Sequence, residues 1–283
     1  MKKAILRIQC PDREGLIHEI TGFIARHNGN VLELEQFVDQ NNSVFFMRVV
    51  WDMTGFMIPF SDFGSSFLLI QRQLNATYWI NDSDKKDRMA VFVSKELHCL
   101  GELLLQWHMG NLPVDIPLII GNHENGRGLA KKFGIEFVHT PADGRERSEV
   151  EKLQLGHLAR HKIDLIALAR YMRIFTGEFV NQYPDRIINV HHSFLPAFAG
   201  TDPYRQAYDR GVKIIGATSH FVTRELDQGP IIAQDTTEIH HGYSVALLRK
   251  VGQEIEKKVF IKAIQKHLER KIIRHGNRTI VFE

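Results

Sequence analysis

Apolar and polar positions along the chain keep one rhythm up to about residue 80 and another after it. Ala4–Gln9 predicts a short apolar strand. Leu16, Ile17, Ile20, Phe23 and Ile24 then recur at helical spacing, with Asp12 placed to cap the helix and Asn28-Gly29 placed to stop it. Leu32 and Leu34 alternate with Glu33 and Glu35, which predicts a strand with one buried face. A turn over Asp39–Asn42 leads into Ser43–Trp51, a strand rich in Val and Phe, so these two strands form a hairpin. A helix from Pro59 to Leu74 and a strand over Thr77–Ile80 complete the order βαββαβ, the ferredoxin-like pattern.

Asn81–Asp87 contains no apolar residue and marks a domain boundary, giving expected domains of 1–84 and 85–283. Beyond it, strands alternate with helices. Strands are predicted over Met89–Val93, Val114–Gly121, Glu136–Thr140, Ile163–Ala169, Ile187–His191 and Lys213–His220. Helices are predicted over Leu97–Met109, Gly126–Phe133 and Glu149–His161. This alternation predicts a doubly wound, mostly parallel sheet of the α/β class. Such sheets bind ligands beyond the carboxyl ends of their strands, so the polar residues there are the ones to weigh.

Composition narrows the function classes. With 283 residues, 43% hydrophobic and 24% charged, the chain has material for two ordinary cores. No run of about 18 apolar residues occurs, and the N-terminus lacks the apolar core of a signal peptide, so a cytoplasmic protein without a membrane span is expected. The two cysteines, Cys10 and Cys99, are far apart and do not read as a disulfide framework. A net charge of +3 gives no case for nucleic acid. From Arg249 to Glu283, however, 10 basic residues stand against 4 acidic ones. That segment is either a solvated amphipathic helix or a basic surface that attracts an anionic substrate.

The strand ending Asn189-Val190-His191 projects Asn189 and His191 to one face, while His192 points the other way if the strand continues. An amide and an imidazole side by side suit a carbonyl that becomes an oxyanion, although Asn-x-His also occurs in purely structural roles. Asp227 follows the strand ending at His220 and precedes the Gly229-Pro230 turn. It is placed either to handle a water or only to cap its own turn. His192 fits core packing or a pocket wall. Cys99 is either a thiolate near a helix start or a small buried hydrophobe. No metal is expected, because the His191-His192 and His240-His241 pairs diverge on strands and no His-x-x-x-His completes a site.

Three stretches together resemble the formyltransferase family that uses 10-formyltetrahydrofolate. They are Asn189-x-His191 with Ser193–Pro196, the segment His220–Pro230 around Asp227, and Met172-Arg173-Ile174. The double His at 191–192, the segment Val93–Gly101 and the ending Gly276–Phe282 resemble its hydrolase branch, the formyltetrahydrofolate deformylases. Asp12-Arg13-Glu14-Gly15-Leu16 resembles an ACT domain.

The resemblance implies hydrolysis of 10-formyltetrahydrofolate to formate and tetrahydrofolate, in the service of purine synthesis or folate balance. Asn189, His191 and Asp227 would be catalytic. Met172, Arg173, Ile174, Phe175 and His220 would bind substrate. It implies no cofactor, a homo-oligomer (dimer or tetramer), and an amino-acid effector at Asp12–Leu16. Transfer to an amine acceptor and a non-catalytic sensor are the competing readings. The place where a Gly-rich phosphate cradle would stand reads Ser94–His98, without glycine until Gly101, although Lys95 there is still able to bind an anion.

Overall fold

A computed structural model describes residues 2–141, 144–196 and 203–283. The chain forms two compact units. The first comprises Met1–Lys86 with Arg270–Ile273 and Ile280–Glu283; the second comprises Asp87–Glu269 with Arg274–Thr279.

In the first unit, β1 (Lys3–Pro11), α1 (Leu16–Arg26), β2 (Asn30–Asp39), β3 (Val44–Asp52), α2 (Phe63–Leu74) and β4 (Thr77–Asp82) follow in the expected βαββαβ order. The antiparallel sheet runs β2-β3-β1-β4. Ala4, Leu6, Ile8 and Cys10 point alternately inward from β1, onto Ile20, Phe23 and Ile24 of α1 and Phe63 and Phe67 of α2. Asp12 does not cap α1. Its backbone N–H donates to Ser43 O at 2.8 Å, and the helix starts from Gly15, at φ 84, a left-handed conformation that glycine adopts without strain.

Two further differences have physical causes. Leu32 and Leu34 are 38% and 37% exposed rather than buried. They lie on an edge strand whose pairing with β3 shifts between Val31 and Glu33, leaving Leu32 in the irregularity. The C-terminal residues also do not all join the second domain, as the 84/85 boundary implied. Ile273 and Phe282 pack with Phe46 on β3, a strand buried along nearly its whole length because both of its faces are covered. Arg7 Nη1 donates to Ile272 O at 2.7 Å beside them.

The second unit contains β5 (Asp87–Val93), α3 (His98–His108), β6 (Val114–Gly121), α4 (Arg127–Lys132), β7 (Glu136–His139), α5 (Arg147–Arg160), β8 (Leu165–Ala169), α6 (Gly177–Gln182), β9 (Ile187–His191), α7 (Pro203–Asp209), β10 (Ile214–Phe221), β11 (Ile231–Glu238) and α8 (Val245–Leu268). The chain closes with the strands β12 (Ile272–His275) and β13 (Arg278–Val281). The seven-stranded sheet runs β11-β10-β9-β8-β5-β6-β7. Strands β5 to β9 pair in parallel, and β10 is antiparallel to both β9 and β11.

The first strand of this sheet lies inside it, with β6 on one side and β8 on the other. The winding therefore reverses there, and a crevice opens at the carboxyl ends. The basic segment near the C-terminus forms most of α8, whose inner face buries Leu248, Ile255, Val259, Phe260 and Ile264. Two of its lysines are paired locally, Lys257 with Glu254 at 2.7 Å and Lys258 with Asp235 at 2.6 Å.

Candidate active site

Strand β9 ends with Asn189 and His191, two residues apart and on one face. Antiparallel pairing sets His220 of β10 directly across from Asn189. After β10 the chain leaves the sheet and returns at Pro230, whose carbonyl accepts from Phe221 N at 2.9 Å. A Cβ at Gly229 would lie 1.7 Å from Phe221 O, so only glycine closes this loop. Asp227 sits on the loop at φ 54, a left-handed conformation that Asp tolerates better than most residues.

The result is a carboxylate between two imidazoles. Asp227 Oδ2 is 3.3 Å from His191 Nδ1, and Oδ1 is 3.7 Å from His220 Nε2. His220 Nδ1 lies 2.9 Å from Phe221 O, a pure acceptor, so Nδ1 carries the proton. In the neutral ring Nε2 is then free to accept from Asn189 Nδ2 at 3.3 Å. By the same logic His191 donates through Nδ1 to Asp227. Its Nε2 is buried without a partner among the described residues. Burial works to raise the pKa of Asp227, but the hydrogen bond from His191, and that from His220 when its Nε2 carries a proton, outweigh it and hold the carboxyl well below the usual range, so it is ionised.

A cavity of about 330 Å³ spans this trio and the loop after β8. All eight residues assigned to catalysis or substrate from the sequence line it: Met172, Arg173, Ile174, Phe175, Asn189, His191, His220 and Asp227. Met172 and Ile174 are 61% and 49% exposed, offering apolar surface at the mouth. Phe175 is buried and stacks on Phe179 with ring centroids 4.0 Å apart.

Residues not singled out from the sequence hold this loop. The Ser94 hydroxyl accepts from Met172 N at 3.0 Å and donates to Asn122 Oδ1 at 2.7 Å. Buried Glu151 accepts from the Thr176 amide at 2.8 Å and from its hydroxyl. Gln154 donates to Thr140 and to the Tyr171 hydroxyl at 2.9 and 3.1 Å. A buried glutamate and glutamine on a helix as polar as α5 leave no local signal, because only the tertiary fold gives them partners.

His192 does not turn away from His191. The strand stops at His191, so strand alternation no longer applies, and the two rings lie 4.9 Å apart along the same cavity. Burial, then the charge of Arg170, then His191, lower the His192 pKa to about 4, leaving the ring neutral at neutral pH.

Behind it, His98, Cys99 and Glu256 bring ligand-type atoms within 4.8 Å of one another. Glu256 already accepts from His98 Nε2 at 2.7 Å and Tyr204 OH at 2.5 Å, and Arg170 Nε lies 3.4 Å from it. A fixed guanidinium beside this carboxylate opposes a second cation. Burial raises the Cys99 thiol well above its usual value, so it is protonated and packs as a hydrophobe. Lys95 is exposed and does not line the cavity.

In the first unit, Asp12, Arg13, Gly15 and Leu16 line a concavity with Gln36, Val38 and Phe45, and Glu14 is not part of its lining. Arg13 is held by Glu19 at 2.8 Å.

An ACT domain model matches residues 4–50 and a formyl transferase model matches residues 87–264. A formyltetrahydrofolate deformylase of Bacillus subtilis (strain 168) is 43% identical over 281 residues, 99% of this chain and 94% of that one. The crystal structure of a formyltetrahydrofolate deformylase from Pseudomonas syringae superposes with a TM-score of 0.97 at 37% identity, covering 100% of this chain and 95% of that one. A glycinamide ribonucleotide transformylase from Symbiobacterium toebii covers 70% of this chain, with 95% of its own length matched, at a TM-score of 0.67 and 31% identity. With both domain models matched in order and full-length likeness to the deformylases, the chain belongs to the formyltetrahydrofolate deformylase family.

Proposed function

We propose that the protein hydrolyses 10-formyltetrahydrofolate to formate and tetrahydrofolate, without a cofactor. The observation that carries this reading is the ionised Asp227 carboxylate set 3.3 Å from His191 Nδ1 beside an unpartnered His191 Nε2. Asp227 orients the attacking water and takes up its proton. The formyl oxygen gains negative charge as the tetrahedral intermediate forms, and the Asn189 amide and a protonated His191, which then donates through Nε2 as well as Nδ1, are the donors that meet it. His191 also serves the departing nitrogen, and His220 holds Asn189. The pterin packs on Met172, Ile174 and Phe175, with main-chain groups of that loop pairing its polar edge. Arg145, Arg147 and Arg173 border an adjoining cavity and supply positive charge for the folate's carboxylate tail.

Formate release from 10-formyltetrahydrofolate, measured with no amine acceptor present, tests this directly. Steady turnover that falls about 10³-fold in Asp227→Asn is expected. Tight folate binding without turnover would shift the reading to an acceptor-dependent transferase or a sensor. Against the transferase stands the segment Ser94–His98, which lacks the glycines of a phosphate cradle.

The physiological role proposed is formate supply for purine synthesis and balance of the folate pool, in the cytoplasm. No helix among the described residues is long and apolar enough to cross a membrane. The concavity at Asp12–Leu16 is the proposed amino-acid effector site; calorimetric titration with glycine, methionine and serine tests it, and absence of heat from all three removes it. Exposed Leu32, Leu34 and Phe37 on edge strand β2 support a homo-oligomer, which light scattering measures.

A further inference from the structure

Hydrolysis and transfer differ in the charge they leave behind. A formyl group passed to an amine ends as a neutral amide. When water takes it, the water oxygen bonds to the formyl carbon, the C–N10 bond breaks with its electron pair going to nitrogen, and nitrogen takes a proton. The formic acid so formed gives up its proton at neutral pH. A new anion then stands beside the Asp227 carboxylate in a partly buried cavity, where like charges repel. A hydrolase built on this site needs a fixed positive charge that a transferase does not.

Arg170 has that charge in the right place. It follows β8 directly, at φ 59, and lines the cavity with His191, His192 and Asp227. Its side chain is only 10% exposed, whereas Arg173 and Arg224, on the same cavity, are exposed. Arg224 is also tied to Asn181 at 3.2 Å. The sole polar partner of the Arg170 side chain among the described residues is Glu256, 3.4 Å from Nε. Glu256, on α8, is 1% exposed and is itself clamped by His98 of α3 and Tyr204 of α7.

A guanidinium has five N–H donors in a planar fork suited to a carboxylate, and here the Nε of Arg170 is buried without a hydrogen bond among the described residues, Glu256 meeting it at 3.4 Å as an ion pair. A nearly buried cation on a cavity wall, with a buried donor that makes no hydrogen bond, calls for an anionic ligand. Neutral His192 alongside adds no competing charge.

We propose that Arg170, anchored by the buried carboxylate of Glu256, is the seat of the formate product. Glu256 acts through Arg170 and is a positioning residue. The proposal rests on the deformylase reading and extends it to how the reaction's product is held.

The test uses the full chain. Formate release is assayed with formate added as product inhibitor, and binding of isotope-labelled formate is followed separately by NMR without turnover. Removing both charges together, in the double variant Arg170→Met with Glu256→Gln, avoids stranding a buried ion and so favours folding, which a melting curve checks. Formate inhibition and binding are expected to weaken about tenfold or more in the double variant. Arg170→Lys, which keeps the charge and loses the fork, is expected to fall between it and the parent.

Glu256→Gln alone is expected to weaken formate inhibition and lower kcat while KM for the folate stays within about twofold, a split that a merely structural role would not produce. A folded double variant that binds formate within about twofold of the parent overturns the proposal. If the double variant does not fold, Arg170→Lys is decided by the same criterion. If the parent releases no formate, the deformylase reading falls, and the NMR comparison still decides whether Arg170 binds formate.

Discussion

The buried polar side chains differ sharply between the two units. In the first, among the described residues, they are Asp39 and Arg48. Asp39 accepts from the Asn41 and Asn42 amides in its own turn, and Arg48 pairs with Glu33 and Glu35 on the neighbouring strand. Both find their partners within this one sheet and its turn and serve the fold, although Arg48 Nε is buried without a hydrogen bond among the described residues.

In the second unit the buried polar residues are Ser94, Thr140, Glu151, Gln154, His191, Ser193, Thr218, Ser219, His220 and Glu256. Ser94, His191 and His220 lie at the ends of strands or just past them, and Glu151, Gln154 and Glu256 reach toward those ends from helices. Polar groups taken from water cost stability unless paired, so their accumulation in one unit marks where stability is exchanged for chemistry.

If that contrast holds, a substitution in the first unit should act on stability alone. Phe67, fully buried between Phe23, Phe63 and Tyr78, is the sharpest case. Phe67→Ala is expected to cost about 3–5 kcal/mol in denaturant unfolding. The protein that remains folded should keep its kcat, and a large loss of kcat would break the comparison.

The reverse substitution is Asn189→Ala, expected to lower kcat about 10²–10³-fold with little change in melting temperature. Next is Glu151→Gln, which weakens the charge-assisted bonds to Thr176 that hold the loop of Met172–Phe175. Its mark should be a KM for folate raised about tenfold at nearly constant kcat.

The smallest effect concerns pH. Because the folded His192 has a pKa of about 4 against an ordinary 6.5, the unfolded chain binds the proton more readily between those values. Stability is therefore lost as pH falls from 6.5 toward 4, and His192→Gln should flatten that slope in melting curves.

Elements with strong periodicity were legible without coordinates. Val114–Gly121 and Ile187–His191 run over the predicted bounds, and the first unit shows the predicted order of strands and helices. Less was visible where local signals mislead. Asp12 carries the chemistry of a helix cap, but its amide is drawn to Ser43 and the helix begins after Gly15. Leu32 and Leu34 alternate like a half-buried strand, although both lie exposed on an edge strand whose pairing is irregular at Leu32. Strand β11 and the short helices α6 and α7 have no clear periodic signal in the sequence. The end of the chain was legible only as basic and partly helical, since nothing near Ile273 and Phe282 announces that they cover β3 some 200 residues away.

The sequence by itself determined the two-part organisation, the period of each main element and the residue types available for chemistry. Asn189 and His191 share a face because strand geometry has a period of two, which is a local property. The rest required tertiary structure. Antiparallel β10 brings His220 opposite Asn189, and a loop that only Gly229 can close carries Asp227 to 3.3 Å from His191. The environment of Arg170 and Glu256 was decided the same way. Their separation of 86 positions in the chain closes to 3.4 Å only when α8 packs behind the sheet, and burial then makes that charge pair a fixed part of the cavity wall.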